Sequence, residues 1–325
     1  MLLNLSLIIP HQNQLESLID LFQSISQLDD LPSEIIVIDS STKSMPRNEQ
    51  FEDFCMSHQI QFKIEEGAHL FPGHARTIGL SKASHPIIAF LDAQTLPQRD
   101  WLGQYHGLIL DDRKDGILGS TIYAANTFQE KVIRAATYGC KSITTLPGSI
   151  LRKSVFNKTG VFLPNTRAGE DTDWMERTKL HNLDLDMSLS PLNYIGLHSV
   201  NSLEILRKWH RNYVHTSKLP FFKPHRDFYL YMFFILSILI AYNWNSVIAS
   251  WDPADELYIP NITKITFGLL LTLYSIVRGL MMPLKKGVQI SFLFPFGFIA
   301  TLLLSFCIDF IKFCAFAQTK ITTLK

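Results

Sequence analysis

Glu170, Asp171 and Asp173 stand together behind Gly169 and ahead of Trp174, in the run GEDTDW. Carboxylates at a helix start suit the helix dipole and cap its free amides, which accounts for much of this acidity. Capping does not account for the flanking glycine and tryptophan. A carboxylate on the floor of a cleft can also act as a general base that removes a proton from a hydroxyl. Asp92 ends the apolar run IIAFLD, with Gln94 two positions on. A carboxylate delivered by an apolar strand into a crevice can meet a cation or a ribose, whereas the neutral amide oxygen of Gln94 is a weaker cation ligand. The plain alternative for this pair is loop capping. Asp39 closes IIVID and is followed by Ser40, Ser41 and Thr42, small hydroxyl residues that let a base or ribose approach the carboxylate; an ordinary turn has the same composition. Arg76, in GHARTIGLSK, falls in the first turns of an expected helix, where a guanidinium can meet a phosphate or a base or simply face solvent. His198 ends PLNYIGLH, and its imidazole is either a structural group or a nitrogen ligand for a cation.

These residues need a frame that brings them to one place. Short β-rich runs at 5–10, 34–41, 60–65 and 86–93 alternate with helix-length segments at 14–28, 48–58 and 73–83. That alternation predicts an α/β domain with a mostly parallel sheet and helical crossovers. In open sheets of this kind ligands bind beyond the carboxyl ends of the strands, where Asp39 and Asp92 fall. A further strand is expected at 116–123, a helix from Glu170, an apolar run at 191–198 and a basic helix over SLEILRKWHRNYVH.

Composition divides the chain. It has 325 residues, 47% hydrophobic and 18% charged, which excludes a largely disordered protein. Of its 59 charged residues only 11 follow Asp227, so the last 98 residues are 11% charged and the first 227 about 21%. A water-facing domain at 1–217 and a membrane region at 218–325 are therefore expected. The apolar stretches 228–249, 262–282 and 288–316 are each long enough to cross a bilayer core, which takes about 20 helical residues. Pro295 invites a kink or a re-entrant shape in the third, and Arg278 is expected to snorkel toward the interface. The net charge of +1, with no basic stripe, argues against nucleic acid as a partner. Four scattered cysteines suggest reduced thiols, and the apolar start LLNLSLIIP is too short for a signal peptide. Lys and Arg dominate the segment before the first stretch and the turn holding Lys285 and Lys286, which predicts a multi-pass protein with its front domain facing the cytoplasm. The C-terminus then falls outside if all three stretches span.

Taken in order, LIIPHQN, IIVIDSS, HARTIGLSKASHPIIAFLDAQTLP, GSILRKSVFNKTGVF and RAGEDTDWMERTKLHN resemble glycosyltransferase family 2 over about residues 4–215. Those are inverting, nucleotide-sugar-dependent enzymes of GT-A fold. The resemblance implies that Pro10, His11, Asn13, Asp39, Arg76 and Asp92 serve the donor, with Arg76 offsetting charge on the leaving diphosphate. It further implies that Asp171 is the catalytic base and that Glu170 and Trp174 meet the acceptor. Asp92 matches the first carboxylate of the family's DxD motif, whereas Gln94 stands where the second, metal-binding carboxylate is usual. Either a weakened Mg²⁺ or Mn²⁺ site survives through Asp92, Gln94 and His198, or the cation is dispensable, or activity is lost. Membrane lipids and a lipid-linked or glycan acceptor are the implied partners. Transfer to polyprenyl phosphate and a catalytically silent nucleotide-sugar-binding scaffold are the alternatives.

Overall fold

A computed structural model describes residues 1–43, 45–198, 201–224 and 226–323. The chain forms two compact units, one of Met1–Asn126, Lys141–Val200 and Leu219–Phe221, the other of Thr127–Cys140, Asn201–Lys218 and Phe222–Lys325. The division is thus interleaved rather than a single cut near residue 217. Its cause is apolar packing: Ala135 joins a cluster with Val288 and Leu293, and Tyr213 one with Phe228 and Ala315.

The first unit is built on β1 (Leu2–His11), α1 (Leu15–Ile25), β2 (Leu31–Asp39), α2 (Glu49–Ser57), β3 (Gln61–Glu66), α3 (Pro72–Lys82), β4 (Ile87–Phe90) and β5 (Thr95–Leu96). It continues through α4 (Gln104–Leu110) and β6 (Gly116–Tyr123) and, after α5 (Phe128–Ala136) of the other unit, resumes with β7 (Ile143–Arg152). α6 (Val155–Thr159), α7 (Glu170–Leu180), β8 (Leu185–Met187) and β9 (Leu192–Tyr194) complete it. The strands make one sheet in the order β3-β2-β1-β4-β7-β6-β9-β5, with β8 on β6. β1 to β4 pair in parallel, as the alternation requires, while β7 enters antiparallel to both β4 and β6.

The inner parallel strands β1, β2 and β4 are largely apolar on both faces, so the sheet is covered on both sides there, while the edge strand β3 (QFKIEE) is apolar on one face only. The period-2 alternation of a strand sends Leu5, Leu7 and Ile9 of β1, with Ile35 and Val37 of β2, to the face under α1 and α2, where Phe22 stacks on Phe51 at 4.0 Å. Ile8, Ile36, Ile38, Ile88 and Phe90 point the other way, into a core with Ala75 and Leu80 of α3 and Trp174 of α7. Because β1, β2 and β4 run in parallel, His11, Asp39 and Asp92 all emerge at one edge of the sheet.

The second unit holds α5, α8 (Ser202–Thr216) and three helical runs, Arg226–Val247, Ile262–Lys285 and Ile290–Thr322, each long and apolar enough to cross a membrane. The first, of 22 residues, reaches about 33 Å, which matches a hydrocarbon core. The third is broken at Phe294, whose φ −110° and ψ 138° are not helical, as Pro295 foretells. Arg278 departs from expectation. It does not snorkel; it is 1% exposed and forks onto Asp309 (2.7 and 3.0 Å) with its remaining nitrogen on Asp227 (2.8 Å). Asp309 also accepts from the Tyr274 hydroxyl at 2.7 Å. A guanidinium in an apolar bundle needs paired carboxylates, and here these tie the three apolar helices together.

Candidate active site

The β1 and β2 ends form the first part of the site. Asp39 Oδ1 accepts from His11 Nδ1 (2.9 Å), from the Ser41 hydroxyl (2.6 Å) and from the Ser41 amide (3.0 Å). His11 Nε2 accepts from the Gln14 amide at 3.1 Å, which leaves the ring proton on Nδ1, facing Asp39. Asn13 takes a positive φ of 54°, and its Oδ1 accepts from the Thr42 amide at 3.1 Å. Pro10 lies opposite Ile38 in the ladder. The expected donor residues of these two strands therefore form one hydrogen-bonded rim, in which all three bonds to Asp39 use a single oxygen.

The second part is a buried charge relay. Arg76, 3% exposed, donates to Glu170 Oε1 at 2.7 Å and to Asp92 Oδ1 at 2.8 Å. Its Nε is buried with no acceptor. Burial works against the guanidinium charge, but Asp92, Glu170 and Asp171 outweigh it and hold the group above its ordinary value. Arg76, expected to serve the donor, is thus buried, and each of its terminal nitrogens donates to a carboxylate, so that it bridges Asp92 and Glu170. Glu170, expected to meet acceptor, is 5% exposed. Burial and the charge of Asp171 push its carboxyl up, to about 7, against the pull of Arg76. Trp174 is corrected. It is fully buried, packs on Phe156 and Phe162, and donates its indole N–H to Thr159 at 3.0 Å, so it is core and cannot line a pocket.

Gly169 and Gly73 make this geometry possible. Gly169 caps α7 in the left-handed region, at φ 89°, which turns the chain so that Glu170 enters the core while Asp171 stays outside. A Cβ on Gly73 would overlap the Leu163 carbonyl and press on the Glu170 side chain. Of the three GED-run carboxylates, Glu170 is bound to Arg76 and Asp173 to Arg177 (3.0 Å), and both are buried. Asp171 alone is partly exposed, its Oδ1 accepting from the Thr172 amide at 2.7 Å.

The third part surrounds Asp92. Thr95 closes the turn, its hydroxyl accepting from the Asp92 amide (2.9 Å) and donating to the Asp92 carbonyl (2.7 Å). Gln94 Oε1 accepts from the Tyr194 hydroxyl at 2.9 Å, and burial beside Asp92 keeps that phenol well above its usual pKa, hence a donor. A Cβ on Gly196 would collide with both groups. His198 is exposed, at the end of the turn whose Ile195 amide binds the Gln94 carbonyl at 2.9 Å. Among the described residues no group of three or more His, Cys, Asp or Glu is placed to hold a metal ion. Of the three residues expected to hold a cation, Asp92 is the one carboxylate, Gln94 Oε1 is engaged by Tyr194, and His198 is exposed at the end of its turn. Thr95, Tyr194, Gly73 and Gly196 escaped sequence reasoning; the positions of both glycines beside long side chains carry no local signal.

The mixed sheet, with acidic side chains at the carboxyl edge of its parallel half, is a GT-A-like fold. A family model described as glycosyl transferase family 2 matches residues 6–169, just over half of the chain, and the chain belongs to that family. Similar solved structures include the mannosyltransferase PcManGT from Pyrobaculum calidifontis in complex with GDP-Man and Mn²⁺, at 16% identity and TM-score 0.51 over 92% of this chain and 86% of that one. Another is S. aureus TarS 1–349 in complex with UDP-GlcNAc, at 15% identity and TM-score 0.45 over 88% of each chain. No curated protein matches the chain.

Proposed function

We propose that this glycosyltransferase moves a sugar, with inversion, from a nucleotide-sugar donor to a hydroxyl of a lipid-linked or glycan acceptor. One observation carries the reading: of three carboxylates at the start of α7, two are buried in ion pairs and Asp171 alone reaches the open side. In the reaction the Asp171 carboxylate takes the acceptor hydroxyl proton, the oxygen attacks the anomeric carbon, and the bond to the diphosphate breaks with its electron pair leaving on the diphosphate. Asp39, His11, Asn13 and Pro10 form the rim that receives the nucleoside, and Asp92, held by Arg76, faces the ribose and diphosphate.

A divalent cation belongs with the donor rather than with the resting protein. Asp92 would hold Mg²⁺ or Mn²⁺ already carried by a diphosphate, a reading supported by the structure of PcManGT in complex with GDP-Man and Mn²⁺. When bound, the cation offsets charge on the leaving group. Gln94 and His198 add no second carboxylate to that site, which makes metal affinity low.

The three apolar helices support a multi-pass membrane protein. The basic segment 207–226 and the Lys285–Lys286 turn, against Asp252, Asp255 and Glu256 in the other connection, support a catalytic unit on the cytoplasmic side. Membranes washed with carbonate should retain the full chain. Purified protein given a panel of nucleotide sugars should release nucleotide diphosphate; no turnover with any donor would leave only the silent scaffold.

A further inference from the structure

A cavity of about 470 Å³ lies in the second unit, lined by Lys131 and Arg134 from α5 and by Val288, Gln289, Ser291 and Phe292 from the link between the second and third apolar helices. We infer that this cavity binds the phosphate head of a membrane lipid. The inference does not depend on the transferase reading, because it concerns a different unit and is tested with no donor present.

Lys131 and Arg134 are three residues apart on α5, hence on one face, and both are half-buried rather than free surface groups. No carboxylate lines the cavity. Glu130, next to Lys131, is buried, takes part in the capping box with Thr127 and is not among the lining residues. Two cations with an amide and a hydroxyl make a donor set for phosphate oxygens.

The walls are fixed together, so the cavity is built and not a gap between loose segments. The Cys140 amide binds the Lys286 carbonyl at 2.8 Å, and Lys286 Nζ donates to the Thr137 carbonyl at 2.6 Å. Gly139, at φ 83°, permits this approach, since a Cβ there would strike Lys286. Burial pushes the Lys286 ammonium down, to about 8, which fits its use as a clamp rather than as a free charge.

The cavity's place selects a lipid over a free anion. It opens at the turn where two membrane-length helices meet, which is headgroup depth. Ile290, within the lining run, and Phe294 and Phe296, just after it in sequence, are 60%, 53% and 72% exposed and offer an apolar track for a chain attached to the bound head. Basic pockets at the ends of membrane helices on the cytoplasmic side suit such heads.

Native mass spectrometry of the full-length protein tests this, with polyprenyl monophosphate, phosphatidylglycerol or phosphatidylcholine added in separate arms. A lipid whose phosphate carries net negative charge should be retained in preference to phosphatidylcholine, whose phosphate is neutralised by choline; preference for the polyprenyl arm identifies an acceptor, and for phosphatidylglycerol an anchoring lipid. Lys131→Gln and Arg134→Gln should each weaken retention about fivefold, and Lys131→Arg should keep it. Equal retention by both Gln variants, or of phosphatidylcholine, would overturn the inference, as would displacement of the lipid by equimolar inorganic phosphate.

Discussion

Replacing Arg76 with Met removes the single positive charge that Asp92, Glu170 and Asp171 share. The Asp92 side chain is 36% exposed and rehydrates, so its share of the loss is small. That of Glu170 is 6% exposed, and an uncompensated buried carboxylate costs about 3–5 kcal/mol. Its pKa, already raised to about 7 in the folded state, moves further up once Arg76 is gone. A carboxyl whose folded pKa lies above its unfolded one contributes stability that is complete below the unfolded pKa and is lost as pH rises through the folded value. Wild type should therefore lose stability on going from about pH 4.5 to 7 at this group, and Arg76→Met should extend the loss above pH 7. Denaturant unfolding in detergent, followed by the fluorescence of buried Trp101 and Trp174, measures it. We expect a deficit of about 3–5 kcal/mol near pH 8 that shrinks toward about pH 5.5, and partial recovery on adding Glu170→Gln. A deficit below about 1 kcal/mol, or one independent of pH, would refute the placement of Arg76 between two carboxylates.

Asp39→Ala should weaken binding of nucleoside diphosphate by calorimetry while the fold persists, since Asp39 sits at a strand end; unchanged affinity would put the nucleotide elsewhere. Gln94→Asp should lower the Mg²⁺ or Mn²⁺ concentration for half-maximal activity, although it also releases Tyr194 and shortens the reach; if EDTA leaves the wild-type rate unchanged and Gln94→Asp creates no metal response, the cation has no part in the reaction. Glu34, fully buried, would be pushed up by burial, but hydrogen bonds from Lys63, Ser6 and Ser84 hold it down at about 2, so its contribution of about 3 kcal/mol is present above its unfolded pKa and lost as pH falls toward about 2; Glu34→Gln should flatten acid unfolding over that window, and an unchanged acid limb would contradict the pairing.

The parallel half of the sheet was legible because its inner strands β1, β2 and β4 are largely apolar on both faces and its segments alternate with helix-length ones, and Asp39 and Asp92 stand where those runs stop. The antiparallel entry of β7 was not, since pairing direction leaves no mark on a strand buried on both faces. Within the site, residue type pointed to carboxylates and an arginine, but burial decided their roles. Arg76 read as a ligand contact from its place in the helix, and Glu170 and Trp174 from the family resemblance, whereas the turn made at Gly169 carries Glu170 and Trp174 into the interior while leaving Asp171 partly exposed. The same holds for Arg278, whose partners Asp227 and Asp309 lie 51 and 31 residues away and come together only when the apolar helices pack.

The central claim is that Asp171 is the base of an inverting transfer to a hydroxyl. Its most direct test is turnover of the productive nucleotide sugar by wild type and Asp171→Asn, with the anomeric configuration of the product read by NMR. Inverted product and a loss of roughly 10²- to 10⁴-fold in rate, with nucleotide affinity unchanged, are the predicted result. Retained configuration, or an Asp171→Asn variant that is only slightly slowed, as transfer to a phosphate acceptor needing no strong base would be, would contradict it.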